Sequence, residues 1–79
     1  MDKLGTLIVG SDKYALKVVE KINDRTFVAV HLNDDETCFT FDDGFPWIEI
    51  LRKKQDGRLY AEGAEFIEGE AQNYSDPSF

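Results

Sequence analysis

A single cysteine, Cys38, leaves this chain without an intramolecular disulfide. No CxxC pair and no Cys/His cluster is present, so a structural zinc site is excluded. Small secreted domains commonly depend on such staples. Long apolar runs are missing too. The run in MDKLGTLIVGSD reaches five residues at most, far short of a signal-peptide core or a membrane span. The expected location is the cytoplasm.

Basic residues are scarce. Nine Lys and Arg stand against sixteen Asp and Glu, a net charge of −7. Such a balance argues against direct contact with nucleic acid or an anionic membrane, and favours a basic partner. Catalytic machinery is also sparse. There is one histidine, His31, and no Gly-rich phosphate cradle, nucleophile elbow or paired acid/base motif. His31 and Cys38 are the only nucleophile–base pair, and a strand histidine with a buried free cysteine accounts for them without catalysis. NDDETCFTFDDG lacks the ligand spacing of a calcium loop. No enzyme activity, metal or cofactor is expected.

What remains is a single domain of 79 residues, with 42% hydrophobic and 13% aromatic residues. A domain this small buries only about 60% of the surface its unfolded chain exposes. Turn signals recur about every ten residues: Gly10-Ser11-Asp12, Asn23-Asp24, Asn33-Asp34-Asp35, Asp42-Asp43-Gly44 and Gln55-Asp56-Gly57. The segments between them are rich in β-branched and aromatic residues, the pattern of an antiparallel meander.

LGTLIVG (4–10) reads as a first strand. RTFVAVHL (25–32) alternates Val28, Val30 and Leu32 against Phe27, Ala29 and His31. TCFTF (37–41) and WIEIL (47–51) read as the arms of a hairpin turned by DDG, where Gly44 tolerates positive φ. RLYAEGAEFIEG (58–69) is strand-like, and its two internal glycines suggest a bulge or sharp bend. YALKVVEKI (14–22) fits a strand. It also fits a helix with Ser11 as N-cap.

The predicted fold is all-β: a small curved antiparallel meander or an SH3- or OB-like barrel of five to six strands. The alternative is α+β with one helix near 12–22. Residues 1–69 form the domain, and 70–79 read as an irregular, mobile tail.

The charges are segregated along the chain. Residues 33–49 hold Asp34, Asp35, Glu36, Asp42, Asp43 and Glu49 and no base. Residues 59–79 hold Glu62, Glu65, Glu68, Glu70 and Asp76, again with no base. The bases concentrate in RKKQDGR (52–58), which reads as a turn paired to nearby acids. If the two acidic segments converge, they make one negative surface that steers a basic partner by long-range attraction. Phe45 and Trp47 add aromatic anchors beside Asp42 and Asp43.

The candidate partner-binding residues are therefore Asp34, Asp35, Glu36, Asp42, Asp43, Phe45, Trp47, Glu62, Glu65, Glu68 and Glu70. Size, acidity and lack of catalytic machinery are similar to those of phage-encoded inhibitors of host enzymes and toxin-neutralising immunity proteins. That likeness is one of type. No motif carries it, and no functional residue is transferred from it. The expected function is a non-enzymatic, protein-binding inhibitor, a nucleic-acid mimic that engages a basic nucleic-acid-processing enzyme. The alternative is an interaction module that self-associates, as a homodimer, through Phe45 and Trp47.

Overall fold

The computed structural model describes residues 3–75 and 77; positions 76, 78 and 79 of the expected tail lie outside them. Six strands form one closed antiparallel barrel in chain order. They are β1 (Lys3–Val9), β2 (Asp12–Asn23), β3 (Thr26–His31), β4 (Ile48–Lys53), β5 (Leu59–Ala61) and β6 (Ala64–Glu68). β6 closes on β1 from Gly5↔Glu68 to Ile8↔Glu65. Among the described residues there is no helix, so none is long and apolar enough to cross a membrane.

The stretch 12–22 is strand, and the helical alternative is corrected. β2 pairs along its length, with β1 at Lys3↔Val18 to Val9↔Asp12 and with β3 at Leu16↔His31 to Asn23↔Thr26. The helical stripe at Ala15, Val18, Val19 and Ile22 is broken by register shifts between Val18 and Glu20 and between Lys21 and Asn23. Each shift adds a residue to one side of the ladder and coils the long strand around the barrel.

Period-two alternation builds the core. Leu7, Leu16, Val18, Phe27, Ala29, Leu51, Ala61 and Phe66 meet in the interior. A second, smaller cluster lies on the outer wall, where Ala15, Val30 and Leu32 pack with Leu4 and Ala71. The segment after β6 covers it. Thr6 donates its hydroxyl to the Glu70 carbonyl at 2.8 Å and accepts the Gln72 N–H at 3.1 Å. Asn73 accepts the Ala15 N–H and donates to the Leu32 carbonyl. Tyr74 exchanges both backbone hydrogen bonds with Lys13. Residues 70–74 thus run from one end of the barrel to the other as an irregular strap.

Thr6→Val keeps the shape of the side chain and deletes both of its hydrogen bonds. It is expected to cost about 1–2 kcal/mol and to speed hydrogen exchange at the Gln72 amide. Unchanged exchange there would show that Thr6 does not hold the strap.

One expectation along the chain is narrowed and one is revised. The glycine at 63 marks the sharp bend and not a bulge. It is the second residue of a two-residue hairpin turn, with Glu62 at φ 49° and Gly63 at φ 87°. Two positive φ values define the turn whose twist matches that of paired strands. TCFTF forms no ladder, only isolated bridges at Leu32↔Cys38 and Thr40↔Pro46. The 16 residues between β3 and β4 are a folded loop rising from the barrel.

Candidate functional site

Antiparallel connections alternate between the two ends of a barrel. The β1–β2 turn, the 32–47 loop and the Glu62–Gly63 turn share one end, and the turns at 24–25 and 54–58 share the other. This topology sorts the charges. Asp34, Asp35, Glu36, Asp42, Asp43 and Glu62 all gather at the first end. Lys21, Arg25, Lys53, Lys54 and Arg58 gather at the second, with Lys3 at the start of β1 beside them and with Asp24 and Asp56 in the same turns. The barrel carries a negative pole, and an opposite pole of mixed charge in which bases outnumber acids.

Local hydrogen bonds hold the acidic loop in shape. Asp35 Oδ1 accepts the Thr37 N–H at 3.0 Å and the Thr37 hydroxyl at 2.5 Å. Those bonds favour the ionised form and hold its carboxyl below the usual aspartate range. Glu36 occupies the left-handed region at φ 68°, a conformation that costs a non-glycine residue roughly 1 kcal/mol. At the loop tip, Asp43 Oδ1 accepts the Phe45 N–H, and Gly44 donates to the Phe41 carbonyl. Asp42 and Asp43 are exposed on this tip, as are Phe41 and Phe45. Phe45 is 68% exposed, the most open of the large apolar side chains among the described residues.

Not every candidate residue joins this pole. Glu65 lies on the wall and receives Arg58 Nη1 at 3.0 Å. Glu68 lies toward the opposite pole, 3.7 Å from Lys3 Nζ. Glu70 belongs to the strap. Trp47 is half-buried and turned inward. Its ring stacks on His31 with centroids 3.7 Å apart and planes 8° from parallel. Phe39, Phe41 and Tyr14 surround it at centroid distances of 5.9, 5.8 and 5.8 Å. Phe41 and Phe45, not Trp47, are the exposed aromatics of the loop.

Beneath the loop the barrel opens into a mouth of about 260 Å3, lined by Tyr14, His31, Trp47, Glu49 and Glu62 among others. His31 lies in its wall, 3% exposed. Its Nε2 is buried without a hydrogen-bond partner, and Glu49 Oε1 is 3.6 Å away, beyond hydrogen-bond range. A carboxylate at that distance favours the imidazolium. Burial outweighs it and brings the imidazole down to about 4, so His31 is neutral at pH 7. Burial, together with the Glu62 carboxylate, raises Glu49 above the usual glutamate range.

Sequence reasoning passed over Tyr14, His31 and Glu49 as site residues. The strand phases already put His31 on one face with Ala29, and Glu49 on one face with Trp47. Only the pairing Ala29↔Glu49 shows that those two faces are one interior. Cys38 is exposed, not buried, and its thiol donates toward the Phe39 carbonyl at 3.6 Å. It does not share the barrel interior with His31. The basic turn pairs as its sequence suggested: Asp56 accepts the Arg58 N–H and the Tyr60 hydroxyl, and Lys54 Nζ lies 4.4 Å over the Tyr60 ring. Among the described residues no group of three His, Cys, Asp or Glu is placed to hold a metal ion.

A second hollow of about 310 Å3 lies between the strap and the acidic loop. There Asn73 donates to Asp34 Oδ1 at 3.1 Å and to the Leu32 carbonyl. The mouth, with its unpartnered imidazole, is the stronger site. Comparison with protein-family models, curated proteins and solved structures finds no match to this chain.

Proposed function

We propose that this protein is a non-enzymatic, cytoplasmic binding protein that engages a basic protein partner through its negative pole. The observation that carries the reading is the sorting of charge by topology. Six carboxylates from three separate stretches of sequence meet at one end, with two exposed phenylalanines among them. A pole of this kind speeds encounter with a basic groove and orients it. The natural target class is a nucleic-acid-processing enzyme, whose groove is built to receive phosphates. Occupying that groove would inhibit it.

The test begins with the partner that the wild-type protein recovers from the lysate of its native host. Asp34, Asp35, Asp42 and Asp43 are then changed to Asn, and Glu36 and Glu62 to Gln, and affinity is followed against salt. Low-salt affinity is expected to fall at least tenfold and its salt dependence to flatten, because exposed charges are screened within about 8 Å at physiological ionic strength. Changing Glu65 and Glu68 to Gln is the control and should matter little. Equal affinity and salt dependence in the six-site variant would refute the proposal.

A second reading rests on the exposure of Phe41 and Phe45. It makes the loop an apolar surface for self-association, and Phe45→Ala should then abolish a dimer that survives high salt.

A further inference from the structure

We propose that the barrel mouth receives one primary ammonium group, the end of a lysine side chain presented by the protein partner. The inference rests on the negative pole being the partner-facing surface, and it adds the chemistry of the central contact.

Three observations converge on a cation with several donors. Glu49 and Glu62 both line the mouth, and burial together with the nearby Glu62 carboxylate makes Glu49 costly to ionise unless a positive charge is brought to it. His31 Nε2 is enclosed and unpartnered, and a neutral imidazole has a lone pair to offer. Buried polar atoms are paired in nearly all native proteins, so a lone one 3.6 Å from the Glu49 carboxylate marks a missing partner. Glu62 also holds its place at φ 49°, in a turn that favours asparagine before glycine. An asparagine there would relax the backbone and remove the carboxylate from the rim.

The shape selects among cations. A volume of about 260 Å3 lies below the roughly 300–1,000 Å3 of pockets for drug-sized ligands, and suits the end of one side chain. Leu7, Val9 and Ala64 line the same space and offer apolar surface to the methylene stem. Glu49, Glu62 and His31 line one mouth, and an ammonium with three N–H groups can turn one toward each. A guanidinium presents its donors in one flat fork and prefers a single carboxylate held side-on.

The test uses the intact protein with Nα-acetyl-lysine methylamide as probe. The matching norleucine and arginine derivatives serve as comparisons. Trp47 is the only tryptophan and stacks on His31, so its fluorescence reports on the mouth. The lysine probe is expected to give a saturable change in emission that norleucine does not reproduce. Glu49→Gln should weaken that response at least tenfold while the circular dichroism spectrum is retained. No saturation with wild-type protein, or equal binding of norleucine, overturns the proposal, as does tighter binding of the arginine probe. A second arm separates this inference from the one beneath it. If Glu49→Gln leaves partner affinity intact while the six-site pole variant loses it, the mouth is wrong and the pole stands. If the pole variant binds as wild type, the pole itself is wrong, whatever the probes show.

Discussion

Gly5→Ala is expected to cost about 3 kcal/mol of folding stability, the upper part of the range for overpacking a core. Gly5 is buried in β1, where the wall is closed by β6. A Cβ at this position would stand 2.3 Å from Phe66 Cζ and 2.5 Å from the Ile67 carbonyl oxygen. The ring has room to rotate only by giving up its place in the core. The carbonyl belongs to the β6 backbone and cannot move without shifting the β1–β6 ladder. A small domain has only about 4–12 kcal/mol in total, so the loss is large. The sign is itself diagnostic, because alanine in a strand interior is ordinarily better than glycine by about 0.5–1 kcal/mol. Urea denaturation of the single variant and of Gly5→Ala with Phe66→Leu measures both parts. The second change should recover the share due to the ring and leave the share due to the carbonyl. A neutral or stabilising Gly5→Ala would mean that the two strands do not approach so closely.

Acidification from pH 6.5 to pH 4 is the second large effect, and His31 is its main source. The folded protein holds this imidazole at about 4, against an ordinary value of 6.5. Between those values the unfolded chain binds a proton that the folded one refuses, so stability falls as pH falls. A difference of about 2.5 units is worth about 3 kcal/mol. Groups that face His31 from other elements modify this. Glu49 on β4 and Glu62 on the β5–β6 turn are the charged ones, and Tyr14 on β2 stacks edge-on at 5.5 Å. Glu49 has the opposite sign. Its raised carboxyl adds stability at low pH that is lost as pH rises through its folded value, so it offsets part of the His31 effect. Asp35 and Asp56 are depressed, and what they add is lost only below the ordinary aspartate value of 3.8, outside the window. Denaturation at pH 4, 5, 6 and 7 should show the loss in the wild type and not in His31→Phe. Parallel curves for the two proteins would assign the acid sensitivity elsewhere.

The fold was legible where alternation ran without interruption. RTFVAVHL and WIEIL appear as strands with the faces their period requires, and the dense turn signals called for a meander. Three places were not legible, each for a local reason. At 14–22 two bulges break the period, so a helical pattern competes with the strand reading, which is the one that holds. At 58–69 the hairpin turn is Glu-Gly, and a glutamate in the left-handed region carries none of the turn signal an asparagine would. At 37–41 the alternating phenylalanines do not mark a ladder. They pack around Trp47 instead.

The negative pole was half legible. The base-free segments name its residues, but only the alternation of barrel ends separates Glu62, which joins, from Glu65 and Glu68, which do not. The mouth was invisible, because it depends on β3 and β4 being paired in register. A lone histidine and a strand glutamate carry no sign of their meeting.

The wall of the barrel is uneven around its circumference. β1 and β2 are zipped together at seven positions, from Lys3↔Val18 to Val9↔Asp12, whereas β4 and β5 share only Arg52↔Tyr60 and Lys53↔Leu59. Local opening follows the cheapest set of bonds to break. The β4–β5 joint is therefore expected to open before the β1–β2 side, as faster hydrogen exchange at its amides would show. Its pairs lie beside the 54–58 turn, and toward the mouth the two strands are unpaired, with Glu49 on β4 and Glu62 just beyond β5. The mouth thus opens where the wall carries no rungs between β4 and β5, and a guest seated there would lie across the unpaired part of the seam.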